Sequence, residues 1–305
     1  MKLRLRIRLS HFGLLLVLLA ALPAQLAAQQ PAPARRVLMW KVVSPTSTMY
    51  LLGSIHVGDK SFYPLPQEIE AAFAASKALV VEINIKSMDQ AQAVALVQKY
   101  GLYGGDDSLS KHVSKDTSTA LDEFCSKHGM PRAAFEHLKP WVVAITVIAA
   151  ALQEGGSDPK LGIDMHFLDQ VKPSQRLEEL ETADFQMSLF ADETEQEQQE
   201  MLALSLKQAG KEKEMLDKIQ DAYFSADAEQ ILKLSREEQS GPQSLMKKMI
   251  DDRNVTMAAK LENYLKKNEQ MFVVVGVLHL VGEKGIVRLL QDKGFKVETM
   301  TVLVK

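Results

Sequence analysis

Two histidines and one glutamate are the residues of this chain whose types and settings suit chemistry. His56 closes Gly53-Ser54-Ile55-His56 after the apolar run Tyr50-Leu51-Leu52, and His279 closes Gly276-Val277-Leu278-His279 after Phe272-Val273-Val274-Val275. Glu82, with Asn84, interrupts the otherwise apolar stretch 78–85. A carboxylate there is costly to bury unless it is paired, hydrogen-bonded or bound to a metal. One Gly-x-x-His is the ordinary mark of a structural histidine; two of them with an acid in a neighbouring strand point to a site. Imidazole and carboxylate suit manganese, cobalt, zinc or iron, and a catalytic centre uses about three protein ligands with a position left for water. His56, Glu82 and His279 are therefore expected to hold a divalent ion, which would lower the pKa of bound water to about 7 and polarise a carbonyl. Arg253 is the expected charge-stabilising donor, since its guanidinium stays cationic and forks onto a carboxylate or oxyanion. The same residues also allow a metal-free scheme, with one histidine as general base and the other, or Arg253, stabilising the oxyanion. His-Glu-x-x-His, Gly-x-Ser-x-Gly and the P-loop are absent from the sequence, against zincin, α/β-hydrolase and nucleotide-binding readings.

The elements that must position these residues are legible as apolar runs bounded by glycine, a pattern that suits strands covered on both faces. In open α/β sheets, ligands collect outside the carboxyl ends of the strands, where both histidines would project if their strands lie side by side. Residues 37–43 and 48–54, joined by Ser44-Pro45-Thr46-Ser47, predict a β-hairpin. A helix over 66–76 and a strand over 78–85 follow, with Glu82 and Asn84 on one face of that strand. Near the C-terminus the order returns: a strand from Met271, the second Gly-x-x-His, a helix over 285–293, Gly294 at its end, and a strand over 295–304 in which Glu298 falls much as Glu82 does. The predicted fold class is α/β, with two repeated strand-GxxH-helix-strand halves forming a central mixed sheet and a large helical insertion between them. The halves are 37–87 and 266–305; the insertion is 88–265. Within it, Lys139-Pro140-Trp141 opens an apolar helix, Gly162-Ile163-Asp164 opens another carrying His166, residues 176–180 form a short strand leading to Glu181, Pro242 starts a helix, and 251–254 interrupts a helix pair.

Ahead of these lies a basic stretch (Lys2, Arg4, Arg6, Arg8), an apolar stretch over 12–22 and a small-residue stretch over 24–28, the pattern of a secretory signal cleaved near Ala28. Residues 29–36 read as a flexible lead-in. The apolar stretch is about half the length that spans a bilayer, so no stable membrane span is expected after cleavage, and the location expected is periplasmic or secreted. The whole chain carries 36 basic and 39 acidic residues; losing residues 1–28 removes four basic and no acidic residues, moving the formal net charge from −3 to −7. Such an acidic exported chain is a poor nucleic-acid binder. Cys125 is the only cysteine; no intramolecular disulfide can form, and it is expected to act as a small buried hydrophobe.

Asp164 is expected to serve its helix N-terminus as an acid, with His166 close by. Glu181 stands open between ligand, substrate contact and plain salt bridge, and Asn254 between orienting Arg253 and capping a helix. His112, His128 and His137 are expected at the surface, Trp141 in the core, and the acidic 193–200 stretch on a solvated helix face.

Taken together these motifs resemble the TraB/GumN (TraB/PrgY/GumN) family, related to the TIKI metalloproteases and, more distantly, to the erythromycin-esterase and ChaN-like fold. The resemblance runs from about residue 38 to residue 303. It rests on Leu52-Gly53-Ser54-Ile55-His56 with Glu82, Lys139-Pro140-Trp141, Gly162-Ile163-Asp164, Leu180-Glu181 with Gln186, Arg253-Asn254, and Gly276-Val277-Leu278-His279-Leu280-Val281-Gly282. The first motif has Gly-Ser where the family usually has Gly-Thr, which keeps a small hydroxyl. The resemblance implies a site built from the two Gly-x-x-His motifs, the glutamate and the Arg253-Asn254 pair, with Glu181 and Gln186 toward substrate. It also implies a metal-dependent hydrolase of peptide or protein substrates. The alternative expectation is a non-catalytic periplasmic protein binding a peptide or glycan in the same crevice; a third, from the ChaN-like fold, is haem or iron handling.

Overall fold

Ser44 makes the first turn: its backbone N–H donates to Ser47 O (3.0 Å), and its hydroxyl oxygen accepts from Ser47 N (2.9 Å). On this turn β1 (Arg36–Val43) folds back antiparallel onto β2 (Thr48–Ser54), as the sequence predicts. The computed structural model describes residues 35–238 and 247–303. The expected signal at 1–28, residues 29–34 of the lead-in, and the expected helix start at Pro242 lie outside the described residues.

Four further strands, β3 (Ala78–Val81), β4 (Arg176–Glu179), β5 (Gln270–Gly276) and β6 (Lys296–Leu303), complete a mixed sheet in the order β4-β3-β5-β2-β1-β6. β4, β3, β5 and β2 run parallel; β1 is antiparallel to both neighbours, β2 and β6. The helices are α1 (Gln67–Ala75), α2 (Gln90–Tyr100), α3 (Lys115–His128), α4 (Pro140–Glu154), α5 (Ile163–Gln170), α6 (Ala183–Ala191), α7 (Glu195–Gln208), α8 (Glu212–Phe224), α9 (Ala228–Glu238), α10 (Arg253–Tyr264), the single turn α11 (Val277–Leu280) and α12 (Ile286–Asp292). The molecule is an α/β fold with a central mixed sheet and helical insertions.

The central strands are apolar because both their faces are covered: Met271 to Val275 are all buried. Phe73 of α1 and Phe167 of α5 meet Phe272 of β5 with ring centroids 5.7 and 4.9 Å away, holding both helices on one face. A second core, with Leu121, Phe124, Val143, Val147 and Leu202 at its centre, joins α3, α4 and α7 within the insertion. Among the described residues no helix is long and apolar enough to cross a membrane.

Four expectations need correction. Glu82 is not inside a strand: β3 stops at Val81 and the chain bends at Glu82, which frees the carboxylate to reach groups beyond the sheet edge. The insertion is not wholly helical, since β4 within it pairs with β3. The two halves do not superpose as repeats in register: β2 aligns Ser54, not Gly53, with Gly276, and the chain leaves β2 as a loop but β5 as the helical turn α11. Glu298 accordingly has no Glu82-like setting and pairs with Lys296 on the outermost strand at 2.6 Å. Finally, Asp251 and Asp252 do not break a helix; the π-helical turn Lys247–Asp252 runs straight into α10.

One topological feature positions everything that follows. From β2 the chain crosses β5 to reach β3, whereas from β5 it crosses β2 and β1 to reach β6, so the two connections depart in opposite directions. With right-handed crossovers, α1 and α12 fall on opposite faces. The neighbours β2 and β5 thus form a switch point, where a crevice opens beyond the carboxyl ends of the strands.

Candidate functional site

Four parallel strands deliver one ionisable side chain each to that edge. His56 follows β2, His279 rides on α11 after β5, Glu82 follows β3, and Glu181 follows β4. The last two are locked in step by the Glu181 N–H donating to Glu82 O at 2.8 Å.

Glu82, 8% exposed, accepts from the Gly276 backbone N–H at 2.7 Å through Oε1 and from Arg253 Nη2 at 2.5 Å through Oε2. Burial alone would push its pKa up, but the positive charges of His279, His56 and Arg253 and the Gly276 N–H outweigh that and hold it at about 2. Arg253 is equally buried and equally committed. Its Nε reaches both Glu181 oxygens at 3.0 Å, Nη2 also reaches Glu181 Oε2 at 2.7 Å, and Nη1 donates to Met249 O in the π-helical turn at 2.9 Å. Gln186 of α6 donates to Glu181 at 2.9 Å and to Glu82 at 3.3 Å. The structure therefore places Arg253, Glu181 and Gln186 together beneath Glu82, with the guanidinium spent on protein carboxylates; of the openings the sequence leaves for Glu181, it occupies the salt bridge.

The two histidines are pinned alike by residues the sequence reading gave other work. Asn254 Nδ2 donates to the Lys284 carbonyl at 2.9 Å, which points its Oδ1 at His279 Nδ1, 2.7 Å away. An amide oxygen only accepts, so His279 carries its proton on Nδ1 and turns the Nε2 lone pair toward Glu82 Oε1, at 3.7 Å. Asn254 thus orients His279 and not Arg253. Burial is the first cause of the low pKa of His279, about 4, so the ring is neutral at neutral pH. His56 Nδ1 donates to Asp164 Oδ2 at 2.9 Å, and the attraction of that carboxylate raises the His56 pKa to about 9. The His56 ring is 64% exposed, so water screens part of this attraction. Asp164 as partner of His56 is the functional contact the sequence reading missed.

A glycine explains how Asp164 arrives. A Cβ on Gly162 would lie 2.3 Å from the His56 carbonyl oxygen, and Ile163 N donates to Ile55 O at 3.1 Å, so the first turn of α5 lies directly against the backbone of the first motif. Gly162 has φ −65° and ψ 152°, open to any residue, so the demand is for space alone. Gly162→Ala is expected to cost about 1–3 kcal/mol by overpacking, read from urea unfolding, and to shift the His56 ring resonances in NMR spectra. Wild-type stability would remove the close approach as the reason for this glycine.

The three residues expected to act together do come together. The position a Cβ on Gly276 would take lies 3.3 Å from Glu82 Oε1, 3.4 Å from His56 Nε2 and 3.5 Å from His279 Cδ2. His279 forms the floor and exposed His56 the rim. In kind, these donors fit a borderline divalent cation: each imidazole has its Nδ1 proton taken by an outer oxygen, the arrangement that orients histidine ligands. Among the described residues no group of three or more His, Cys, Asp or Glu forms a ready-made metal cage.

Other candidates settle elsewhere. His166 meets Glu70 at 2.6 Å and stacks on Tyr63, away from His56 despite lying two residues from Asp164. His112 is half-buried between Asp107 (2.8 Å) and Glu195 (2.6 Å), His128 is half-buried against Phe124, and His137 is exposed. Trp141 and Cys125 are buried.

A model of the TraB/PrgY/gumN family matches residues 38–299. Two curated relatives, both named "Uncharacterized protein YbaP", from Escherichia coli (strain K12) and Shigella flexneri, are each 24% identical over 142 residues, covering 46% of this chain and 51% of theirs. The chain therefore spans about half the length of the curated relatives it matches. No solved structure matches it significantly.

Proposed function

The chain belongs to the TraB/PrgY/gumN family, and on that premise we propose that it is an exported hydrolase acting on peptide or protein substrates at the crevice beyond β2, β5 and β3. The observation that carries this reading is the convergence of His56 Nε2, the Glu82 carboxylate and the His279 ring on one point beside Gly276. The peptidase assignment adds the resemblance of these motifs to the TIKI metalloproteases.

In this scheme Glu82 is the anion of the site, kept ionised by Arg253 and Gly276. His279 is the neutral base, its lone pair aimed inward by Asn254. His56, held by Asp164, stands where substrate enters and can give or take a proton at Nε2. Arg253 does not touch substrate but sets the charge of Glu82, with Glu181 and Gln186 completing that clamp. The proposed cofactor is a divalent cation (manganese, cobalt, zinc or iron) held by His56, Glu82 and His279, which when bound would supply an activated water and a polarised carbonyl. His56 has to shed its Nε2 proton to serve as a ligand, so affinity is expected to rise with pH.

The test is turnover. The purified protein, incubated with manganese, cobalt or zinc and a peptide library, is expected to yield cleavage products by mass spectrometry that chelation removes and Glu82→Gln reduces at least a hundredfold. Elemental analysis should show less bound metal in His56→Ala and His279→Ala. Undiminished metal in both would refute the ligand assignment, and peptide binding without cleavage would make this a binding protein.

A further inference from the structure

Ser54, the last residue of β2, is 2% exposed and its Oγ has no hydrogen-bond partner. That is costly, on the order of 1–3 kcal/mol for a buried polar group left unmade. Other buried serines avoid it: the hydroxyls of Ser47, Ser76 and Ser205 donate to the carbonyls of Glu269, Ala72 and Leu202.

The register shows where this hydroxyl is aimed. Ser54 pairs with Gly276 across the parallel β2–β5 ladder, and paired residues on neighbouring strands project to the same face of the sheet. On that face, the Cβ direction of Gly276 leads to Glu82 Oε1, His56 Nε2 and His279. Ser54 therefore faces the crevice from the adjoining strand. The other donors there are already spent. The Gly276 N–H is on Glu82, the His279 Nδ1–H is on Asn254, and Arg253 is on Glu82, Glu181 and Met249. The charge-stabilising donor that the sequence reading sought in Arg253 has to come from another group.

We propose that the Ser54 hydroxyl is the hydrogen-bond donor to the substrate oxygen in this crevice, the carbonyl oxygen that gains negative charge when a peptide-type bond is attacked. No covalent bond to Ser54 forms or breaks; its O–H turns from no partner to that oxygen. The inference rests on the hydrolase reading for its substrate class and on the register for its placement. Before substrate arrives, a water oxygen occupies the same direction.

Three measurements on the full chain decide it. With a peptide the wild type cleaves, Ser54→Ala is expected to lower kcat by about 10- to 1,000-fold with KM within twofold, and Ser54→Thr to stay within tenfold of wild type. Urea unfolding should find Ser54→Ala as stable as wild type or more so, because an unsatisfied group is removed; a hydroxyl that merely braced the fold would show the reverse. A crystal structure of the unliganded protein should place an ordered water on Ser54 Oγ within the crevice. Unchanged kcat in the alanine variant, a loss of stability, or an Oγ bonded to a protein carbonyl or to no ordered oxygen would each overturn the proposal. If wild type cleaves nothing while the water and the stability result stand, it is the hydrolase reading that fails and the donor placement that survives.

Discussion

Arg253→Met is expected to destabilise the fold by about 3–5 kcal/mol, because it strands two buried carboxylates at once. Glu82 and Glu181 are 8% and 5% exposed, and the guanidinium touches both, at 2.5 Å and 2.7–3.0 Å. Water cannot readily replace it, as Arg253 is itself 5% exposed and sits on the Met249 carbonyl. Arg253→Lys should recover only part of the loss, since an ammonium keeps the charge but cannot fork across two carboxylates. Combining Arg253→Met with Glu82→Gln and Glu181→Gln should be milder than Arg253→Met alone, because no unpaired charge then remains. Urea unfolding followed by circular dichroism measures each. A loss below about 1 kcal/mol for Arg253→Met would mean that the carboxylates find other partners, and the clamp would lose its meaning.

Acid should unfold the protein in two overlapping steps that belong to the site. His279 has its pKa lowered to about 4 by burial, so between the ordinary histidine value of 6.5 and about 4 the unfolded chain binds the extra proton and stability falls as pH falls. Glu82 has its pKa lowered from 4.5 to about 2, so its contribution is whole above 4.5 and lost as pH drops toward 2. Shifts of this size correspond to roughly 3 kcal/mol each by the linkage relation. They overlap physically as well, for once His279 is protonated near pH 4 it becomes a cation 3.7 Å from Glu82 and helps hold that carboxylate ionised. The expected record is a urea midpoint that declines from about pH 6.5 downward. His279→Asn should remove the upper part of the decline and Glu82→Gln the lower. His56 works in the opposite sense: its raised pKa means that its attraction to Asp164 is complete below 6.5 and fades as pH climbs toward 9, weakened by its exposure. Identical pH profiles in wild type and both variants would show that these two groups do not govern acid stability.

Much of the scaffold was legible because its causes are local. The β1–β2 hairpin follows from two apolar runs and a serine-rich turn, and β5 from five consecutive apolar residues that only a doubly covered strand accommodates. Placing His56 and His279 beyond the ends of such strands required nothing beyond glycine-bounded hydrophobicity. Glu82 stood out since an acid next to Val80 and Val81 must be compensated. What it could not disclose was the compensating partner, 171 positions away on α10, or that the partner's guanidinium would be used up there.

The same division holds across the site. Composition and spacing along the chain dictate which segments become strands, which end in glycine, and which polar side chains sit amid apolar neighbours, since those are properties of a residue and its nearest few companions. Asp164 on His56, 108 positions apart, Asn254 on His279, and Ser54 left without a partner depend on strand order and register. Those follow from how six strands and their covering helices share one core, a balance of many weak long-range contacts that no short stretch of residues carries.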